Sequence, residues 1–143
     1  MTAPASNAAV SLLRRMFGLD AQEGEVDAIG LAGGGFFAPD VVHSLFGPTG
    51  TKELLVGLPA FEAFVAGCAE ALSDRSDEIL AVLPIDEQCA FVHARAWRKA
   101  RASGRGIRYE WAMLYRVENG RITYGADMLD TDAQAFWGSV LSA

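Results

Sequence analysis

Cysteine, histidine and proline are scarce in this chain of 143 residues, which holds two, two and five of them. Cys68 and Cys89 are too few and too far apart to staple a disulfide scaffold, and both read as buried thiols. With His43 and His93 lying 50 residues apart and no cluster of carboxylates near either, no metal is expected. Long apolar runs are also missing. Charges or glycines interrupt each one well short of the about 18 residues that a membrane helix needs, so no membrane partner is expected. The opening MTAPASNAAVSLLRR puts its basic pair after the apolar stretch, the reverse of a secretory signal, and the expected location is cytoplasmic. No Gly-Lys-Ser/Thr follows Gly33-Gly34-Gly35, which excludes a phosphate loop. Basic charge is in deficit too: 12 Lys and Arg against 18 Asp and Glu leave a net charge of −6, which argues against nucleic acid as a partner. Eight basic residues do gather between Arg95 and Arg121, with Trp97, Tyr109 and Trp111 among them. That pattern reads as a solvated hairpin and edge charges, because the rest of the surface would repel phosphate.

What remains is ordinary globular material, 51% hydrophobic and 21% charged, in one domain spanning residues 1–143. Ser6 or Asn7 caps a first helix with Val10, Leu13 and Phe17 on one face, ended by Gly18. A short helix from about Glu25 to Leu31 follows. A strand runs from Val41 to Phe46 and closes in Gly47-Pro48-Thr49-Gly50. Pro59 opens a long helix to about Leu72, with Phe61, Phe64, Val65 and Cys68 at helical spacing. Strands are then expected at Glu78–Leu83, Gln88–Lys99, Ile107–Val117 and Arg121–Leu129, the last two joined by the tight turn Glu118-Asn119-Gly120. Asp130-Thr131-Asp132 caps a final helix to Leu141. Helices first and an antiparallel meander after them define an α+β fold.

Strand side chains alternate between faces. Tyr109, Trp111 and Met113 share one face of their strand, and Asp127 shares its face with Thr123 and Leu129. The preceding strand is read with Arg95 and Trp97 turned inward. Arg95, Trp97, Tyr109, Trp111 and Asp127 then point into one cavity against the helices and His43, a polar and aromatic set unusual for plain packing. The structural alternatives stay open: an Arg95–Asp127 ion pair, a satisfied His43, and Trp111 and Met113 as core.

The stretch Phe37-Ala38-Pro39-Asp40-Val41-Val42-His43, the helix from Pro59, Val117-Glu118-Asn119-Gly120-Arg121-Ile122 and Asp127-Met128-Leu129-Asp130 together resemble the nuclear transport factor 2-like superfamily. The likeness is to its SnoaL-like cyclase and limonene epoxide hydrolase branch, over residues 8–137. It implies a cone: a curved antiparallel or mixed sheet wrapped around about three helices, with an apolar pocket at the wide end. The epoxide hydrolase pattern is only half kept. Leu45 stands where an Asn helps hold the attacking water, His43 where a Tyr does, and Trp97 where a relay Asp lies between Arg95 and Asp127. Leucine holds no water and an indole accepts no proton, which disfavours that chemistry.

By resemblance to the SnoaL-like cyclases, Asp127 is the acid/base of a cofactor-independent enolisation, with His43 and Arg95 assisting. Trp97, Tyr109, Trp111, Met113 and Leu45 then wall a small hydrophobic or aromatic molecule. A carboxylate in apolar surroundings suits a base working near neutrality. The expected activity is that of an isomerase, cyclase or hydrolase. The alternatives are a non-catalytic binder of a small hydrophobic ligand and an interaction module. A homodimer through the sheet face is expected, with Ala112, Leu114 and the alanines of the Gln88–Lys99 strand supplying the patch.

Overall fold

The computed structural model describes residues 7–19, 35–46 and 52–142, so the expected Glu25–Leu31 helix and the Gly47–Gly50 turn lie outside the described residues. Helix α1 (Ala8–Met16) begins where the Asn7 side chain accepts from the Ala9 and Val10 amides at 2.8 and 3.1 Å. Those two bonds satisfy amides that a helix start otherwise leaves open. Its face of Ala9, Leu12, Leu13 and Met16 is buried, continued by Phe17. Helix α2 (Leu58–Ala71) starts after Gly57, with Pro59 in its first turn, where a missing N–H is harmless. It ends because Leu72 turns extended, at φ −107° and ψ 137°, and begins the next strand directly. Helix α3 (Thr131–Ser142) is capped by Asp130, whose Oδ1 accepts from the Ala133 amide at 2.8 Å.

The strands are β1 (Phe37–Phe46), β2 (Lys52–Val56), β3 (Leu72–Pro84), β4 (Cys89–Ala100), β5 (Gly106–Glu118) and β6 (Arg121–Met128). They form one six-stranded sheet in the order β2-β1-β6-β5-β4-β3. All neighbours are antiparallel except β1 and β6, which run parallel. The sheet is curved and unclosed, and register breaks near Leu72/Asp74, Ile79/Ala81 and Arg116/Val117 accompany its bending. Asn119 and Gly120 both take positive φ, 51° and 76°, as the tight β5–β6 turn requires.

The main core lies between the inner face and helices α1 and α2: Leu12, Leu13, Phe17, Phe37, Val41, Phe61, Val92, Met113, Val117 and Ile122 are all buried there. The α+β cone expected from the sequence is therefore present. Two strand starts and one whole strand differ from expectation. β1 starts at Phe37 rather than Val41, β3 starts at Leu72 rather than Glu78, and β2 was not anticipated.

One strand has the opposite phase from that expected. On β4 the buried positions are Cys89 at its start and then Ala90, Val92, Ala94, Ala96, Arg98 and Ala100. Register sets Ala96 beside Tyr109, Ala94 beside Trp111 and Val92 beside Met113, so the even residues face inward. Arg95 and Trp97 therefore face outward, and the β4 alanines do not belong to an outer patch. Bulk explains the choice. The inner face already holds Tyr109, Trp111, Met113 and Tyr115 from β5, and only small partners fit beside them.

Candidate functional site

The parallel pairing of β1 with β6 builds the centre of the site. It sets His43 beside Gly125, two residues before Asp127. His43 Nε2 lies 3.0 Å from Asp127 Oδ2. The histidine side chain is 4% exposed and the aspartate 18%, so the carboxylate is the member that a ligand can reach. The ring packs against Phe61 at a centroid distance of 4.9 Å, and Phe61 in turn against Phe37 at 4.7 Å. Its other side rests on the β6 backbone. A Cβ on Gly125 would lie 2.7 Å from His43 Nδ1 and 3.0 Å from Tyr115 Cε1. Only glycine permits this close approach. Among the described residues Nδ1 has no hydrogen-bond partner, and the Nε2–Asp127 contact is the ring's one polar anchor.

Met113 stands opposite Asp127 on β5, 1% exposed, and its Sδ accepts from the Tyr115 hydroxyl at 3.1 Å. Tyr109 is buried two strand turns away, and its oxygen accepts from Trp137 Nε1 of α3 at 2.9 Å. Trp111 meets Tyr109 edge-on at 6.4 Å, and Leu45 lies two residues past His43, half-buried. Met113, Tyr109 and Trp111 thus share the inner face with Asp127 and His43.

Arg95 and Trp97 do not join them. Arg95 is 52% exposed on the outer face, donating to Glu78 at 3.0 Å with Glu110 at 3.6 Å, as the Glu78–Arg95–Glu110 register dictates. No Arg95–Asp127 pair forms. Trp97 donates to Asp74 at 2.7 Å and carries the Arg108 guanidinium 4.7 Å above its ring. Trp97 is a brace on the outside of the hairpin, fitted against Gly106.

The inward arginine is Arg98, which the sequence reading counted only as charge. Its Nη2 donates to Asp77 at 2.8 Å, with the side chains 1% and 0% exposed. Nη1 donates to the carbonyls of Ser76 and Trp97 at 3.1 and 2.9 Å. Cys68 of α2 was also missed as part of the site. Burial pushes its thiol up to about 12; the Asp127 carboxylate adds to the rise and Arg98 opposes it. Tyr109 and Tyr115 are raised as well, mainly by burial, with Asp127 contributing in both. Asp127 and Arg98 thus act on Cys68 and Tyr109 with opposite sign. The usable signal for Arg98 was a strand face of alanines and valine carrying one charge. Cys68 and Cys89 are both buried and free, as expected. Among the described residues no metal-binding cluster occurs, and no helix is long and apolar enough to cross a membrane.

A curved mixed sheet wrapped on helices, with its polar residues on the inner face, is the nuclear transport factor 2-like architecture. Within it, the family model of the SnoaL-like domain matches residues 13–125, and the chain belongs to that family. A candidate SnoaL-like polyketide cyclase from a Jannaschia species is similar over 100% of this chain and 97% of its own, at 17% identity and a TM-score of 0.71. A nuclear transport factor 2-like protein of unknown function from Burkholderia pseudomallei is similar over 97% of this chain and 100% of its own, at 18% identity and a TM-score of 0.71. TerC, co-crystallised with polyporic acid, is similar over 95% of this chain and 99% of its own, at 13% identity and a TM-score of 0.66. No curated protein matches the chain.

Proposed function

We propose that the protein binds a small, largely apolar or aromatic molecule on the inner face of its sheet and moves a proton on it without a cofactor. The single observation behind this reading is the His43–Asp127 contact at 3.0 Å, with the carboxylate as its reachable member. Asp127 is the acid/base, taking a proton from carbon with the oxygen not held by His43. His43 is a positioning residue: with Nε2–H donating to Oδ2, it fixes the carboxylate for attack. Met113 and Trp111 supply apolar wall, and Leu45 flanks His43. Arg95 and Trp97 have no part, since both lie outside. Family membership, and solved relatives that include a candidate polyketide cyclase and a protein crystallised with an organic acid, agree with a pocket for such molecules.

The test is a thermal-shift screen of wild type and Asp127→Asn against terpenoid epoxides, steroids and aromatic polyketides. A ligand at 100 times its dissociation constant adds about 2.7 kcal/mol. A hit consumed by wild type and left intact by the variant supports the reading. A hit that both bind and neither changes makes the site a carrier or sensor pocket.

The homodimer belongs to the same proposal, on revised residues. Leu83, Phe91 and Leu114 stand in register across β3, β4 and β5 on the outer face, with Leu83 52% exposed. Light scattering reads the state directly.

A further inference from the structure

Helix α3 covers part of the inner face and is held there by little. Of its twelve residues only Ala133 and Phe136 are buried, and Leu141 is 44% exposed. Ala133 packs with Ala96 and Tyr109, and Phe136 with Leu72 and Ala100. Both contacts lie outside the main core, whose buried residues come from α1, α2 and the strands. Trp137 Nε1 adds its hydrogen bond to the Tyr109 oxygen at 2.9 Å. The bonds at the helix start stay local. Asp130 caps the first turn, and Gln134 Nε2 donates to the Leu129 carbonyl at 2.9 Å.

The surface under α3 is imperfectly closed. Arg98 stands between Ala96 and Ala100 on the inner face of β4, both of which touch the helix. Arg98 Nε and Trp111 Nε1 are buried without a partner among the described residues. A buried donor with no acceptor opposes the state that buries it, and water satisfies it once the cover lifts. The tether is short as well. β6 ends at Met128 and α3 begins at Thr131, so Leu129 and Asp130 alone join the helix to the strand that carries Asp127.

We propose that α3 is a lid: it swings off the sheet as one unit about Leu129–Asp130, with the Trp137–Tyr109 hydrogen bond as its latch, and so opens the inner face to solvent. Segments with few buried apolar contacts are the ones that open locally while the rest of a fold stays intact. The hinge lies beside Asp127, so the movement starts at the edge of the site. The lid rests on the proposed inner-face site for its purpose, and not on acid/base chemistry there.

The experiment uses the full chain without ligand. Amide hydrogen exchange is read by NMR, residue by residue, in wild type, Trp137→Phe and Tyr109→Phe, with melting curves to show that each is folded. The amides from Phe136 to Leu141 should share one protection factor, on the order of 100-fold below that of β4 and β5. Either variant removes the latch and should lower that shared factor several-fold, the usual effect of one hydrogen bond. Protection of α3 equal to that of β4 and β5 overturns the proposal. So does a gradient that rises inward from Ser142 and is unchanged at its outer end by both variants. A second readout asks whether the site opens with the helix. Cys68 is 6% exposed and lies four residues before Leu72, which Phe136 covers. In Cys89→Ala protein, labelling of Cys68 by a water-soluble disulfide reagent should show the protection of the α3 amides and quicken with them in Trp137→Phe. Labelling as slow as β4 and β5 exchange, or indifferent to Trp137→Phe, overturns the proposal. Neither readout involves a ligand or turnover, so the lid and the acid/base reading fail separately.

Discussion

Asp77 and Arg98 are the buried charge pair on which the β3–β4 side of the site depends, and the structure predicts how it responds when broken. The two groups meet at 2.8 Å with side chains 0% and 1% exposed, so neither charge can turn to water. Replacing Asp77 with Leu leaves a buried guanidinium uncompensated, which costs about 3–5 kcal/mol. At roughly 2.1 cal/mol/K of unfolding entropy per residue, each kcal/mol corresponds to about 3 °C in this chain, so Tm should fall by about 10–15 °C. Arg98→Met alone should lose a similar amount, because it strands the carboxylate. The double variant Asp77→Leu/Arg98→Met removes both charges and fills the space with apolar groups, a replacement that is often neutral or stabilising. Its loss should be smaller than the sum of the singles by at least about 3 kcal/mol. Chemical and thermal unfolding of all four proteins give the cycle. Singles that melt within about 3 °C of wild type, or losses that simply add, would refute the reasoning.

Three further outcomes follow from the same geometry. Gly125→Ala places a Cβ 2.7 Å from a His43 ring already backed by Phe61; overpacking of about 1–3 kcal/mol, partly offset by the strand preference for Ala, should lower Tm by several degrees and cut turnover. An unchanged melting point would show that the ring is free to move. Stability should fall as pH rises through 9 toward 12: burial raises the Cys68 thiol to about 12, so the unfolded chain loses this proton first. Tyr109 and Tyr115, also raised by burial, extend the fall at higher pH. Cys68→Ala should remove the first part of that decline in a pH series of melts. Arg95→Ala should leave ligand affinity unchanged and stability within about 1 kcal/mol, because its pairs with Glu78 and Glu110 are solvent-exposed; a lost ligand in titration would return Arg95 to the site.

The legible parts of the fold were those where chemistry and period agree. β5 alternates Tyr, Trp and Met with Arg and Glu, and its inner face follows from polarity alone. The Asn119–Gly120 turn follows equally, as does the pairing of Gly125 and Asp127 on one face of β6, but the register break near Thr123 brings Ile122 into the inner core, against the period-two reading. On β4 both faces looked plausible. One carries Ala, Val, Ala, Ala and then Arg98; the other carries Phe91, His93, Arg95 and Trp97. Aromatic and basic residues suggested a cavity wall, yet the volume of β5 demanded the small set inside. The start of β3 was hidden for a related reason. Ser73-Asp74-Arg75-Ser76-Asp77 is polar enough to read as a helix end and loop, and it becomes strand because Asp77 meets Arg98 across the ladder. Such a pairing between charges 21 residues apart has no local signature. β2 is five residues of Lys, Glu, Leu, Leu and Val with no alternation to detect.

The most direct measurement of the central claim is hydrogen–deuterium exchange at the carbon next to the carbonyl of 1-tetralone in D2O, followed by proton NMR with catalytic protein. A base at Asp127, held by His43 at 3.0 Å, should accelerate exchange in wild type. Asp127→Asn should return it to the protein-free rate while His43→Ala leaves a weakened acceleration. Exchange by Asp127→Asn as fast as by wild type, or none above background in wild type with the probe bound, would contradict the account.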